Sequence, residues 1–329
     1  MIPLFLFGVV SIGSFYYYDP FHVLNNQGTF QESIVGYNEE FVATERYLKD
    51  PSRYDSFIFG SSRAGCGFRI NDWSASLRKK DGLFLFAASN ETIFGILGKI
   101  KLIEEVDGQL DNALIIIDTD KTFKSYENAK GHLFVKHYRV SNTPRSTYIT
   151  TFLKDYIFSG FFIRYLDYKL FAKERPYMEG YLDFSKQGSK ETHQLFNVNE
   201  RIRAIAKDSI KYYKENQSLF ISRPEKPSVN EPIISERGIT YLKEIKSIFD
   251  KHHANYKLVI GPLYNQVKMH PKDLQILKDI FGESQIHDFS GQNKFTEDRH
   301  HYFEPSHYRP FVGAEILQQV YTSKSKKLE

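Results

Sequence analysis

Three short stretches of this chain, ending at Phe59, Ala87 and Ile117, are continuous apolar runs rather than apolar–polar alternations. A strand with that pattern must be covered on both faces, which is the situation of a parallel sheet between helices. Segments of helical period separate the runs. In Glu91–Val106 the apolar residues Ile93, Ile96, Leu97, Ile100 and Ile103 share one helix face, with Asn90 as the expected cap. The alternation returns late in the chain. Glu236–His252 reads as amphipathic helix, Lys257–Gly261 as strand, Pro271–Phe281 as helix with proline at its start, Gln285–Phe289 as strand and Pro310–Tyr321 as helix. The sequence therefore predicts an α/β protein, a three-layer α/β/α sandwich with a mostly parallel sheet.

Between the two halves the pattern stops. Residues from about 122 to 235 hold an aromatic helical segment, Tyr148–Tyr168, a polar one around Glu200–Glu215, and loops such as Ser222–Pro232. They are expected to form an insertion into a single domain spanning residues 19–329, with a lead-in helix near Glu39–Leu48.

Ile2–Tyr18 carries no charge, and Asp19-Pro20 ends it. Its length lies at the short edge for a membrane-spanning helix, and Tyr16, Tyr17 and Tyr18 resemble an interfacial belt. Residues 1–18 are expected to be a membrane anchor, or alternatively a cleaved signal segment. Either expectation puts the remainder on the periplasmic or other extracytoplasmic side. The 28 Phe and 22 Tyr suit a core, a membrane interface or a sugar-stacking surface. A net charge of +4 is spread along the chain, with one basic cluster at Lys324–Lys327, so nucleic acid is not an expected partner. The single cysteine, Cys66, excludes an internal disulfide.

Two fragments carry chemistry. The first apolar run empties into Gly60-Ser61-Ser62-Arg63, which sets a hydroxyl at the carboxyl edge of the sheet. Ser62 is the candidate nucleophile and Ser61 its alternative. Cys66 is a rival that reads better as a small apolar filler. Near the other end stands Glu304-Pro305-Ser306-His307. His307 is the candidate base, and Glu304 would orient its ring and stabilise the imidazolium. Asp298, His300 and His301 also invite a metal reading, but no second ligand cluster or helical histidine pair accompanies them, so neither metal nor cofactor is expected. Arg63 is suited to an anionic substrate group, or to pairing with Glu304 or a framework acid.

These fragments resemble the blocks of the SGNH hydrolase superfamily, the GDSL-like lipases, esterases and carbohydrate O-acetyltransferases. More narrowly, the chain looks like the membrane-anchored members encoded with bacterial envelope polysaccharide machinery. Gly60-Ser61-Ser62 stands where that superfamily has Gly-Asp-Ser, and Glu304-Pro305-Ser306-His307 where it has Asp-x-x-His. An oxyanion-hole glycine is implied after the second strand, where this chain has Ala88-Ser89-Asn90. A Gly-x-Asn-Asp block is implied after the third, where it has Asp118-Thr119-Asp120-Lys121. An ionised Asp120 cannot donate a hydrogen bond to an oxyanion, which leaves Asn90, or Asn265 in Gly261–Asn265, as the expected donor. The resemblance implies an SGNH/flavodoxin-like sandwich and a serine O-acyltransferase or esterase acting on a cell-envelope polysaccharide or other acylated glycan. A membrane protein that delivers the acyl group would be a further partner. The departures in the middle blocks suit a second reading, a catalytically inactive glycan-binding or assembly component.

Overall fold

A computed structural model describes residues 2–24, 34–182, 198–223, 226 and 228–322. The helices in chain order begin with α1 (Ile2–Tyr18), α2 (Glu39–Lys49), α3 (Ser62–Gly67), α4 (Ile70–Leu77) and α5 (Ile93–Glu105). There follow α6 (Tyr138–Ser141), α7 (Arg145–Phe158), α8 (Phe161–Phe171), α9 (Asn199–Lys207) and α10 (Ser209–Glu215). The last four are α11 (Glu236–Lys251), α12 (Pro271–Phe281), α13 (Lys294–Glu297) and α14 (Pro310–Thr322). The chain divides into two compact units, residues 1–49 with 128–192, and residues 50–127 with 193–329.

The second unit holds the sheet. Strands β1 (Ser56–Gly60), β2 (Leu83–Ala87), β3 (Asn112–Ile117), β4 (Asn255–Ile260) and β5 (Ile286–Asp288) pair in the order β2-β1-β3-β4-β5. Every pairing is parallel. β1 and β2 are buried along their whole length, as their unbroken apolar runs require. Phe57, Phe59 and Phe86 stack ring on ring across them. Right-handed crossovers put α4 on one face and α5, α11 and α12 on the other. The packing agrees, since α11 lies against α5 and α12 while α4 lies against α14, where Trp73 Nε1 donates to the Tyr321 hydroxyl at 2.9 Å. The chain leaves β1 toward β2 on one side and reaches β3 on the other. Such a reversal opens a crevice at the carboxyl ends of the two central strands. After β5 comes a short antiparallel hairpin, β6 (Tyr302–Glu304) with β7 (His307–Tyr308).

The expected insertion does not behave as one body. Residues 198–235 stay with the sheet unit, whereas 128–182 join the N-terminal residues around a core of their own. The reason is the aromatic content: Phe152, Tyr156, Phe161 and Tyr165 of α7 and α8 pack with Phe15, Phe21 and Phe41. Burying one such ring is worth on the order of 1.5–3 kcal/mol. The aromatic segment is also two helices, because Gly160 turns the chain at φ +83°. Asn90 does not cap α5. It sits at φ +52° and its Oδ1 accepts from Lys121 Nζ at 2.9 Å, while Thr92 takes the cap position.

The N-terminal membrane span is likewise corrected. Among the described residues no helix is long and apolar enough to cross a membrane. The 17 residues of α1 reach about 25 Å at the helical rise, short of a hydrocarbon core of about 30 Å.

Candidate active site

The nucleophile candidate sits where β1 gives way to α3. Gly60 makes that turn possible: its φ is +151°, and a Cβ there would lie 2.8 Å from the Ala64 Cβ and 3.1 Å from Ile116 of β3. No larger residue fits between the two. Ser61 then caps α3, accepting from Arg63 N–H at 3.1 Å. Ser62, the first residue of the helix, is half-buried and faces His307 across 2.9 Å from Oγ to Nε2. The other ring nitrogen, Nδ1, is hydrogen-bonded to Glu304 Oε1. The three residues picked from two distant fragments therefore meet as Ser62–His307–Glu304.

The approach of the hairpin to the helix explains the meeting. A Cβ on Gly67 would fall 2.0 Å from the Tyr308 ring, so the ring of β7 lies directly on the glycine of α3. His307 is the neighbour of Tyr308 and is carried to Ser62 by that contact. On its far side the hairpin is fastened by α10. The Tyr213 hydroxyl donates to the carbonyls of Tyr302 at 2.8 Å and His300 at 3.1 Å, and the Tyr212 hydroxyl to that of Phe303 at 3.1 Å.

Glu304 is fully engaged. Its Oε2 accepts from Ser306 N–H at 2.7 Å, and Arg201 Nη1 of α9 lies 3.5 Å from Oε1. Burial works to raise its carboxyl. The His307 hydrogen bond, the Ser306 amide and the Arg201 charge outweigh burial and hold it below the ordinary glutamate value. Glu304 is thus ionised wherever the protein is folded near neutrality.

Beneath the serine turn lies a network the sequence only hinted at. Asp118, at the end of β3, is fully buried and accepts a hydrogen bond from Ser61 Oγ. Burial pushes its carboxyl up, with Arg63 and Ser61 pulling against. Arg63 Nη1 stands 3.5 Å from Asp118 Oδ2. The same guanidinium donates to Asp120 Oδ1 at 2.5 Å, to Asp120 Oδ2 at 3.0 Å and, through Nε, to the Ser306 carbonyl at 2.9 Å. Burial opposes its charge, and the two aspartates outweigh burial. Arg63 pairs with framework acids, not with Glu304, and ties the nucleophile turn to the loop before the base. Asp120 is correspondingly lowered: burial raises it and the Arg63 fork more than compensates.

The remaining sequence candidates stand apart. The Asn265 Oδ1 accepts from Val267 N–H at 3.2 Å in its own turn, and Asn90 is exposed and held by Lys121. Ser89 is half-buried at the end of β2. The side-chain bonds of Asn90 and Asn265 go to Lys121 and Val267 and not to Ser62 or His307. The Ser61 hydroxyl donates to Asp118 rather than facing His307, and Cys66 is buried inside α3. His300 bonds Asp298 at 2.7 Å and His301 bonds the Phe295 carbonyl at 3.0 Å. Among the described residues no group of three or more His, Cys, Asp or Glu is arranged to hold a metal ion.

Neither a protein-family model nor a curated protein matches this chain.

Proposed function

We propose that the sheet unit is a serine acyl-transfer catalyst of SGNH type, an O-acyltransferase or esterase acting on a cell-envelope polysaccharide on the extracytoplasmic side. The observation that carries the chemistry is the Ser62 Oγ to His307 Nε2 distance of 2.9 Å, with Glu304 on the other ring nitrogen. Support for the three-layer, flavodoxin-like arrangement comes from the strand order and from helices against both sheet faces. The polysaccharide and an acyl-delivering membrane partner rest on the resemblance alone.

Ser62 Oγ attacks the acyl carbonyl as His307 Nε2 takes its proton, and ionised Glu304 stabilises the imidazolium. The imidazolium then protonates the departing alcohol oxygen, leaving the acyl group on Ser62. A water or sugar hydroxyl, deprotonated by His307, attacks that ester and releases the serine. For the oxyanion, the donor is the Ser62 backbone N–H, one of the first amides of α3, which have no intrahelical partner. Asp120 does not oppose this step with a bare charge, because Arg63 neutralises it.

The side chains of Asn90 and Asn265 are held through their Oδ1 atoms, which accept from Lys121 Nζ and from Val267 N–H, and not at Ser62 or His307. That favours the second reading, an inactive glycan-binding component. One experiment separates the two. A serine-reactive fluorophosphonate should label Ser62, and the purified chain should release acetate from an aryl acetate. Ser62→Ala and His307→Ala should each lower turnover at least about 10³-fold while the melting temperature stays nearly unchanged. Absence of label, together with bound oligosaccharide, would establish the binding component instead.

A further inference from the structure

Helix α1 is inside out for a helix in water. Its packed stripe carries Gly8, Ser11, Ser14, Phe15 and Tyr18. That stripe lies along α7 and α8, with Ser14 Oγ 3.0 Å from the Tyr156 hydroxyl, Phe15 against Tyr156, and Tyr18 against Tyr165. Its open face carries Phe5, Leu6, Val9, Val10, Ile12 and Tyr17. A helix at an aqueous surface turns its large apolar side chains inward and its serines outward. Small residues at the helix contact and large apolar ones outside are the arrangement of a helix in lipid.

The apolar surface does not end with α1. The Phe7 ring meets Phe162 edge-on with centroids 5.4 Å apart. On either side of Phe162 in the chain, at the α7–α8 corner, Phe158 is 81% and Ile163 59% exposed. Most of the large apolar side chains left exposed among the described residues belong to this unit. At its other end α1 changes character. Tyr16, Tyr17 and Tyr18 precede Asp19, and Lys169 Nζ sits 5.7 Å from the Tyr18 ring centre and 5.4 Å from that of Tyr165. Tyrosines with a lysine beside an uncharged, mostly apolar segment are the composition of a membrane–water boundary.

We propose that this unit docks on a lipid bilayer. The N-terminal half of α1 and the α7–α8 corner enter the acyl region together, and Tyr16–Tyr18 with Lys169 lie at headgroup level. The contact needs no spanning helix, which α1 is too short to supply. The uncharged face bounded by a tyrosine–lysine rim favours lipid over a second copy of this chain, whose identical apolar face would not call for such a rim. Catalysis by Ser62 plays no part in the contact.

The test is flotation of the purified full chain with vesicles of phosphatidylglycerol and phosphatidylethanolamine. The unmodified chain floats. Val9→Glu on the open face and Phe158→Glu at the corner each lower the bound fraction at least about tenfold, since a charge in the acyl region is strongly disfavoured. Circular dichroism and melting of both variants stay near those of the parent, because both side chains are exposed. Depth is read with tryptophan against the single native Trp73, which is fully buried. In Phe158→Trp the fluorescence is quenched most by lipids brominated deep in the chain, and in Tyr17→Trp by those brominated near the headgroup. A parent chain that stays in the aqueous fraction overturns the proposal, whether monomer or dimer. So does undiminished flotation of Phe158→Glu, which would leave α1 acting without the corner.

Discussion

Replacing Arg63 by methionine should both destabilise the sheet unit and misplace its base, and the two effects separate experimentally. Arg63 is buried and gives three hydrogen-bond contacts, to both oxygens of Asp120 and to the Ser306 carbonyl, besides lying 3.5 Å from Asp118. Asp120, with 40% of its side chain exposed, can be rescued by water. Asp118, with 1%, cannot. Removing one partner of a buried pair costs about 3–5 kcal/mol. The low end applies because the Asp118 carboxyl, already raised by burial, relieves itself by taking a proton. The variant should therefore lose about 3 kcal/mol at neutral pH, or roughly 6–12 °C in melting temperature. In the variant the folded carboxyl titrates above its unfolded value of 3.8. The deficit is then small below that value and grows as pH rises through it. Urea unfolding at several pH values reads this directly. Adding Asp118→Asn should recover at least half of the lost stability, since a neutral amide still accepts from Ser61. It should not recover turnover, because the Ser306 carbonyl has lost its anchor, and a shift of about 1 Å at the base is worth roughly 10² in rate. A single variant within about 1 kcal/mol of the parent would refute the reasoning, as would a double variant no more stable than the single one.

Three further outcomes follow from the geometry. Gly67→Ala would drive a methyl into the Tyr308 ring, costing about 1–3 kcal/mol and lowering kcat by displacing His307; differential scanning and aryl-acetate turnover measure both. Glu304→Gln should reduce kcat about 10²–10⁴-fold with KM little changed, since an amide neither stabilises the imidazolium nor selects its tautomer as a carboxylate does; an equal rise in KM would point to substrate binding instead. His287, on β5, is held down to about 4 from 6.5 by burial and by Lys257. Its folded form resists the proton that the unfolded chain accepts, so stability should fall as pH drops from 6.5 toward 4. His287→Asn should flatten that part of the stability profile, and an unchanged slope would assign the loss to other groups.

The sheet was readable because its signals are local. Unbroken apolar runs such as Leu83–Ala87 demand cover on both faces, and an amphipathic period such as Glu236–Lys251 provides it. Ser62, His307 and Glu304 were readable as residue types in a short pattern at expected places. The unit that α1 builds with α7 and α8 was not, because the partners of Tyr156 and Phe161 lie more than a hundred residues away at Phe15 and Phe21. An aromatic helix does not announce which aromatic surface will bury it. Arg63 was read as an anion binder or structural partner, but its real partners depend on how β3 and the β6–β7 loop approach the same turn.

The amino-acid order by itself determined that a parallel sheet forms and that a hydroxyl stands at the end of its first strand, since backbone period and turn chemistry act over a few residues. Only the folded chain decided that the hydroxyl faces an imidazole, that Asp118 and Asp120 share one guanidinium, and that α1 turns its serines inward. Those outcomes depend on close packing between segments far apart in sequence, and a bare glycine such as Gly67 reveals its purpose only once a tyrosine ring is found resting on it.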